Sequence, residues 1–544
     1  LSSPSEKVFK SAGVTSFAVL LSRVSGLVRE GVMSRIFGAG LANDAFIIAF
    51  RLPNLTRDLF AEGALSSAFV PTFVEYLSKK DKREAARLAN LVATSIIIIV
   101  GALCLLGMLA SPWLVKVVTG SWYLEQPAKY ELAVLMTRIM FPFLLVVSLA
   151  AQAMGILNAC NQFAIPAFSS TWFNVGSVAF GLSVGFFLGP RLGFEPIIGM
   201  AIGVLAGGLL QLLWQVPSLL REGFYFHLAL DFNHPGLRQI LRLMGPAIIG
   251  NSAVQVNVLV NSFFAASIID PVRGGDGPVS WLGYAFRFMQ LPIGLFGVAI
   301  ATATLPAIGR SAASGDTNEF RETLARSLGL VFLLTVPSSA GLMILGESIV
   351  GAIYEGVNFQ PYDTRQTALA LTCYALGLAG YAAVKVLTPA FYALKDSRTP
   401  VLISVASIAI NALLAAGLVW GLDWGHAGLA LATSGVALFS FIAQFLVMRA
   451  RIAGVYGRRL REVVLKVLLG SAIMAAIVGG SSTLIHRFLG RGPAAHFTDL
   501  AISIPLGLIT LYACCRALHI EELEMATRAL AGPLTRRIAK LKSE

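Results

Sequence analysis

The sequence predicts an all-α protein that crosses a membrane many times, and three observations carry that expectation. Hydrophobic residues make up 56% of the 544 residues and charged residues only 13%, with a mean hydropathy of +0.75. Soluble domains carry about 25% charged residues. The deficit excludes a soluble enzyme, a disordered chain and a free nucleic-acid binder. The apolar residues also fall into runs long enough for helical spans, which need about 20 residues each. Finally, the Lys and Arg residues are segregated between alternate connections, as the positive-inside rule requires.

Fourteen spans are expected, centred near Leu20, Asn54, Ile99, Leu144, Ala179, Gly207, Val254, Gly294, Leu333, Gly377, Ala409, Ser434, Met474 and Leu508. The first two are polar for membrane helices, whereas later ones such as Leu91–Ala110 and Val401–Trp420 are ordinary apolar spans. The first apolar stretch contains Arg23 and Arg29 and lacks a small-residue cleavage site, so no cleavable signal peptide is expected. With a cytoplasmic N-terminus, the inner segments hold 27 of the 42 basic residues and the outer segments seven, among them Lys129. That asymmetry predicts an even span count with both termini cytoplasmic.

Eight basic residues remain within the spans: Arg23, Arg29, Arg35, Arg51, Arg57, Arg138, Arg287 and Lys385. A charge at the bilayer centre costs about 2.5–3.5 kcal/mol even on lenient scales, so each demands a reason. An internal repeat places two of them in equivalent settings. Ala49-Phe50-Arg51 precedes Gly63 and Pro71, and Ala285-Phe286-Arg287 precedes Gly297 and Pro306. The offset of six spans predicts two parallel six-helix lobes around a central cavity, with two further C-terminal helices. The expected organisation is an N-terminal lobe over 1–225, a C-terminal lobe over 226–455, two extra helices over 456–520 and a cytoplasmic tail over 521–544.

The first two spans hold Arg23, Arg29, Glu30, Arg35, Asp44, Arg51, Arg57, Asp58 and Glu62. Arg23 and Glu30 are seven apart, as are Asp44, Arg51 and Asp58, and Asp58 and Glu62 are four apart, so polar stripes are expected. Two readings stand open: ion pairs that lock the helices together, or a cavity for an anion. Five Arg face four carboxylates, and Arg287 adds a cation without an acid nearby in sequence. Arg suits phosphate because its planar fork bonds bidentately and stays charged. Arg35 fits an anchor or a site, Lys385 a substrate contact or an ion pair, and Arg138 an interfacial or packing contact.

Catalytic readings find no support. The six His are scattered, without metal-ligand spacing, and read as interfacial. No Walker A, H-E-x-x-H or G-x-S-x-G motif occurs. The five Cys read as small apolar packing residues. Beyond Glu75 no Asp or Glu is expected deep in a span, so a cation site there would need neutral oxygens, such as those of Asn251, Asn257, Asn261 or Asn411.

The segments SRVSGLVREGVMSRIFGAG, DAFIIAFRLPNLTRDLFAEGALSSAFVP, GYAFRFMQLPIGLFGVAIATATLP and AVKVLTPAFYALKDSRTPV together resemble the MurJ (MviN) family of bacterial lipid II flippases, within the multidrug/oligosaccharidyl-lipid/polysaccharide exporter superfamily. The resemblance runs from about Ser11 to the fourteenth span. It implies fourteen helices in the arrangement above. It also implies transfer of lipid II, the undecaprenyl-pyrophosphate-linked disaccharide pentapeptide, to the periplasmic leaflet of the inner membrane by alternating access. The family's cationic cavity residues map onto Arg23, Arg29, Arg57 and Arg287, and Asp44, Arg51 and Glu62 fall in the same motifs. Glu30 stands where Asp is frequent in the family, and Asp58 and Gln290 stand where some members carry a basic and an acidic residue. No cofactor is implied, although coupling to membrane potential or a monovalent cation is compatible with it. Membrane lipids and the cell-wall synthesis machinery are the implied neighbours. The alternatives are another polyprenyl-linked polysaccharide flippase or a drug exporter of the same superfamily.

Overall fold

A computed structural model describes residues 4–59, 65–454 and 457–523. Those residues form helices, without a named strand among them. The first compact unit runs to Ser280 and also takes in Gly356–Asn358, and the second comprises the rest.

The first unit holds α1 (Pro4–Phe37), α2 (Leu41–Arg57), α3 (Ser66–Lys79), α4 (Lys82–Thr119), α5 (Pro127–Met140), α6 (Phe143–Ala159), α7 (Ala164–Ser183), α8 (Gly189–Leu192), α9 (Pro196–Leu213), α10 (Val216–Arg221) and α11 (Pro235–Ala266). The second holds α12 (Pro278–Pro292), whose first turn belongs to the first unit, α13 (Ala299–Ser314), α14 (Thr317–Tyr354), α15 (Pro361–Ala375), α16 (Leu378–Ala393), α17 (Arg398–Ala415), α18 (Gly425–Arg451), α19 (Gly457–Leu489) and α20 (Pro493–Ala517).

Local chemistry sets the boundaries. Asp81 caps α4 by accepting from the Glu84 N–H at 2.8 Å, and Asp316 caps α14 through the Asn318 and Glu319 N–H groups. Proline opens α5, α9, α11, α15 and α20, where its missing N–H costs nothing. Around α3 and α4 the first unit buries Phe69, Phe73, Leu88 and Leu237 together. In the second, Val386, Leu387 and Phe391 of α16 pack on Leu324 and Leu328 of α14 and Met448 of α18.

Among the described residues, ten helical runs are long and apolar enough to cross a membrane, and α15 with α16, bent by 43°, makes an eleventh. The protein is therefore an all-α polytopic membrane protein. The three further spans expected fall on α1, the α2–α3 pair and α11; Ser252–Ala266 of α11 is apolar.

The repeat has a structural counterpart. π-helical backbone begins at Asp58, seven residues after Arg51, and at Ile293, six residues after Arg287. Both stretches widen a helix between its arginine and its later proline, the kind of irregularity that often sits at functional sites.

Helices α7 and α9 cross at backbone contact. Gly199, Gly203 and Gly207 recur every four residues along one face of α9. A Cβ on Gly203 would lie 2.3 Å from the Ser177 carbonyl oxygen and 2.7 Å from the Gly181 Cα. Backbone cannot yield as a side chain can. Gly203→Val is expected to force the helices apart and destabilise the protein by about 1–3 kcal/mol or more. A lowered unfolding temperature in detergent checks this; an unchanged one would mean that the crossing tolerates separation.

Candidate functional site

The first unit gathers arginines along α1 and α2. Asn174 of α7 seats α1 by donating to Ser25 Oγ at 3.0 Å and to the Ser22 carbonyl at 3.2 Å. About one turn further on, Arg29 stacks on Phe173 of α7, 5.3 Å from the ring centroid. A guanidinium held over a ring face has its plane fixed, which prepares the fork for a planar or tetrahedral anion. Glu30 lies 3.9 Å from Arg29, and both side chains are largely buried. Arg57, at the end of α2, bonds Asp58 Oδ1 through Nε at 3.2 Å and Nη2 at 3.0 Å. Arg51 is half-buried, whereas Arg23 and Arg35 are exposed.

The ion pairs seen here join sequence neighbours, Arg29 with Glu30 and Arg57 with Asp58. The seven-residue spacing sets residues on one face of a helix, whereas these contacts run along the chain. Long Arg side chains curl onto the adjacent carboxylate, which a cylinder-face argument does not anticipate. Glu62 lies outside the described residues.

Asp44 is in a different place. Along α2 it stands about 20 Å of helix rise from Arg57, at 1.5 Å per residue. Its side chain is fully buried, as is that of Lys129 on α5. Lys129 Nζ donates to Asp44 Oδ2 at 2.9 Å, to the Gly275 carbonyl at 2.7 Å and to Asp276 Oδ1 at 3.0 Å, so each ammonium hydrogen has an acceptor. Asp44 also accepts from the Gly277 N–H at 2.8 Å, the Ser280 N–H at 2.8 Å and Ser280 Oγ at 2.5 Å. It thus caps the first turn of α12 from another helix, placing a negative charge at the positive end of the helix dipole. Burial, then the Asp44 and Asp276 carboxylates, pushes the nearby Tyr123 hydroxyl well above its ordinary range.

Lys129, counted among the charges of the outer segments, is buried within the first unit, where three oxygens replace its water. In the second unit Arg287 is exposed on α12, with Nη1 3.5 Å from Gln290 Oε1, and Lys385 is exposed on α16. Arg138 donates to Ser111 Oγ at 3.0 Å, the packing contact expected of it.

One carboxylate near the start of a later helix is nonetheless buried in the protein. Asp499 on α20 is fully buried and held by three serines and a histidine. His234, His426 and His496, each at the start of a helix, are buried there. No sequence signal marks these residues beyond four-residue spacings, Ser482 to His486 and Asp499 to Ser503.

Comparison with known proteins places this geometry. The family model described as lipid II flippase MurJ matches residues 33–492. A Vibrio cholerae protein named "Probable lipid II flippase MurJ" is 33% identical over 96% of this chain and 99% of its own length. The "Lipid II flippase MurJ" of Burkholderia cenocepacia is 34% identical over 82% of this chain and 85% of its own. Among solved structures, a lipid II flippase MurJ in an inward closed conformation superposes with a TM-score of 0.71 at 26% identity, covering 93% of this chain and 99% of that one. An inward-facing multidrug resistance transporter of the MATE family shares the fold at a TM-score of 0.63 and 16% identity, covering 81% of this chain and 94% of that one.

Proposed function

Because the chain belongs to the lipid II flippase MurJ family, we propose that it moves lipid II from the cytoplasmic to the periplasmic leaflet of the bacterial inner membrane. It acts as a transporter and not as a catalyst. The observation that carries this reading is the concentration of arginine on α1 and α2, two helices inside a protein otherwise poor in charge. A pyrophosphate bearing a sugar supplies the anion that a surplus of forked cations favours. We assign Arg23, Arg29, Arg51 and Arg57 to that head group, with Arg287 and Lys385 as the cations that the second unit offers. Asp44 supports the site from a distance.

The finer architecture belongs to the same proposal. Adding α1, the α2–α3 pair and α11 to the eleven apolar spans gives fourteen, which the charge census matches with cytoplasmic termini. Two repeated six-helix lobes alternate access, driven by membrane potential or a monovalent cation, while the isoprenoid tail stays in lipid beside α19 and α20. The test is complementation. Expression of this chain in a bacterium depleted of its own flippase is expected to restore growth and periplasmic lipid II, and collapse of the membrane potential is expected to halt the restored transfer. Failure to restore transfer by a chain that reaches the membrane would refute the assignment. Transfer that persists without the potential would refute that mode of driving.

A further inference from the structure

The ends of α14, α19 and α20 meet around a buried carboxylate within the second unit. Asp499 Oδ2 accepts from Ser348 Oγ of α14 at 2.5 Å and from Ser482 Oγ of α19 at 2.7 Å, and Oδ1 accepts from Ser503 Oγ at 2.7 Å. His486 Nε2 lies 3.3 Å from the same Oδ2 and 2.9 Å from Ser348 Oγ. The other ring nitrogen, Nδ1, lies 3.0 Å from the Gly490 carbonyl oxygen.

Counting hydrogens decides what this cluster holds. The Gly490 carbonyl can only accept, so Nδ1 must carry a hydrogen. A neutral imidazole then has a bare Nε2. Ser348 has one hydroxyl hydrogen and faces two acceptors, Nε2 and Asp499 Oδ2. Whichever it serves, two lone pairs confront one another in a buried place. One more proton removes the conflict. With that proton on Nε2, the ring donates from both nitrogens, Ser348 donates to Asp499, and the carboxylate collects three hydroxyl hydrogens as well as an imidazolium.

We propose that His486, Asp499 and Ser348 form a proton-binding site, at which one proton beyond those of a neutral imidazole and an ionised carboxylate fastens the α19–α20 turn to α14. The surroundings suit a cation on His486. Glu347 of α14 is paired with Arg491 at 3.7 Å. Glu355, after α14, lies 3.7 Å from Nε2 of His496, whose ring centroid is 5.4 Å from that of His486. Arg487 points outward, exposed. His496 Nδ1 is buried without a hydrogen-bond partner, so the second histidine carries no competing donor network. Loss of the proton leaves the serine with one hydrogen for two acceptors and loosens the turn.

The full-length protein, labelled with ¹⁵N-histidine in lipid nanodiscs, tests this by solid-state NMR near pH 7.5, where an unperturbed histidine (about 6.5) is mostly neutral. The resonance lost in His486→Gln identifies the ring. Both its nitrogens are expected to be protonated in the wild type, and Asp499→Asn is expected to leave only one protonated. Should Asp499→Asn fail to fold, Ser348→Ala is expected to keep the doubly protonated ring, since the carboxylate remains. Raising the pH until that proton leaves is expected to increase amide exchange in the α19–α20 turn, after correction for intrinsic rates, and His486→Gln to abolish the response. A wild-type ring protonated on one nitrogen only, or a doubly protonated ring indifferent to Asp499→Asn, would overturn the proposal. So would a turn whose exchange is indifferent to release of the proton.

Discussion

Cells depleted of their own lipid II flippase are expected to stop growing when they rely on the Arg29→Ala variant, although the variant reaches the membrane in normal amounts. Arg29 combines three properties in one side chain. It is largely buried, it stacks on Phe173, and it belongs to the α1–α2 arginine cluster. A hydrogen bond between charged groups contributes about 1.5–3 kcal/mol. Losing one from the transfer step lowers its rate about 10- to 150-fold, which a cell making wall continuously does not tolerate. Arg29→Lys keeps the charge but neither the plane nor the fork, so it should restore transfer only in part. The measurement is periplasmic lipid II in depleted cells, normalised to the variant's membrane level. Undiminished transfer by Arg29→Ala would remove Arg29 from the head-group site.

The fold class was legible because it rests on sums: composition, run length and charge placement tolerate errors at single residues. The arginine cluster was legible for the same reason, since α1 and α2 are charged against an apolar background. The α7–α9 crossing uses Gly199, Gly203 and Gly207 at four-residue spacing, but such spacing names no partner until the helices pack. What the sequence hid is partnership at long range. Lys129 meets Asp44 across 85 residues, and Ser280 meets it across 236. A lone lysine two residues after Pro127 reads as an outer-loop charge, and nothing local announces that three oxygens await it. Asp499 and Ser348 are 151 residues apart, so their cluster forms only once α14, α19 and α20 pack. Side-chain reach matters as well: spacing puts Arg23 and Glu30 on one helix face, while the flexible guanidinium of Arg29 turns to the carboxylate beside it.

Lys129→Met is expected to be among the most destabilising single substitutions in the first unit, and Asp44→Asn combined with it should recover part of the loss. The reason is an asymmetry in buried ion pairs. Removing one partner leaves a charge without compensation in a dry place and costs about 3–5 kcal/mol, whereas replacing both with neutral groups is often tolerated. Lys129→Met strands the buried Asp44 carboxylate, which keeps the Gly277 and Ser280 donors, and takes the ammonium from Asp276, which water still reaches. Asp44→Asn in turn removes the anionic cap of α12, because an amide has one acceptor oxygen for donors that now serve two. Unfolding temperatures of the two single variants and the double variant in detergent close the cycle. A double variant as unstable as the sum of the singles would show that the pair does not act as a unit. A Lys129→Met variant as stable as the wild type would show that the buried ammonium does not hold the loop from Asp270 to Ser280 in place. Lipid II transfer by the double variant then separates the two roles of Asp44. Recovered stability with transfer still lost would mean that the charge at the head of α12, and not merely the firmness of its seat, is needed for the transport cycle.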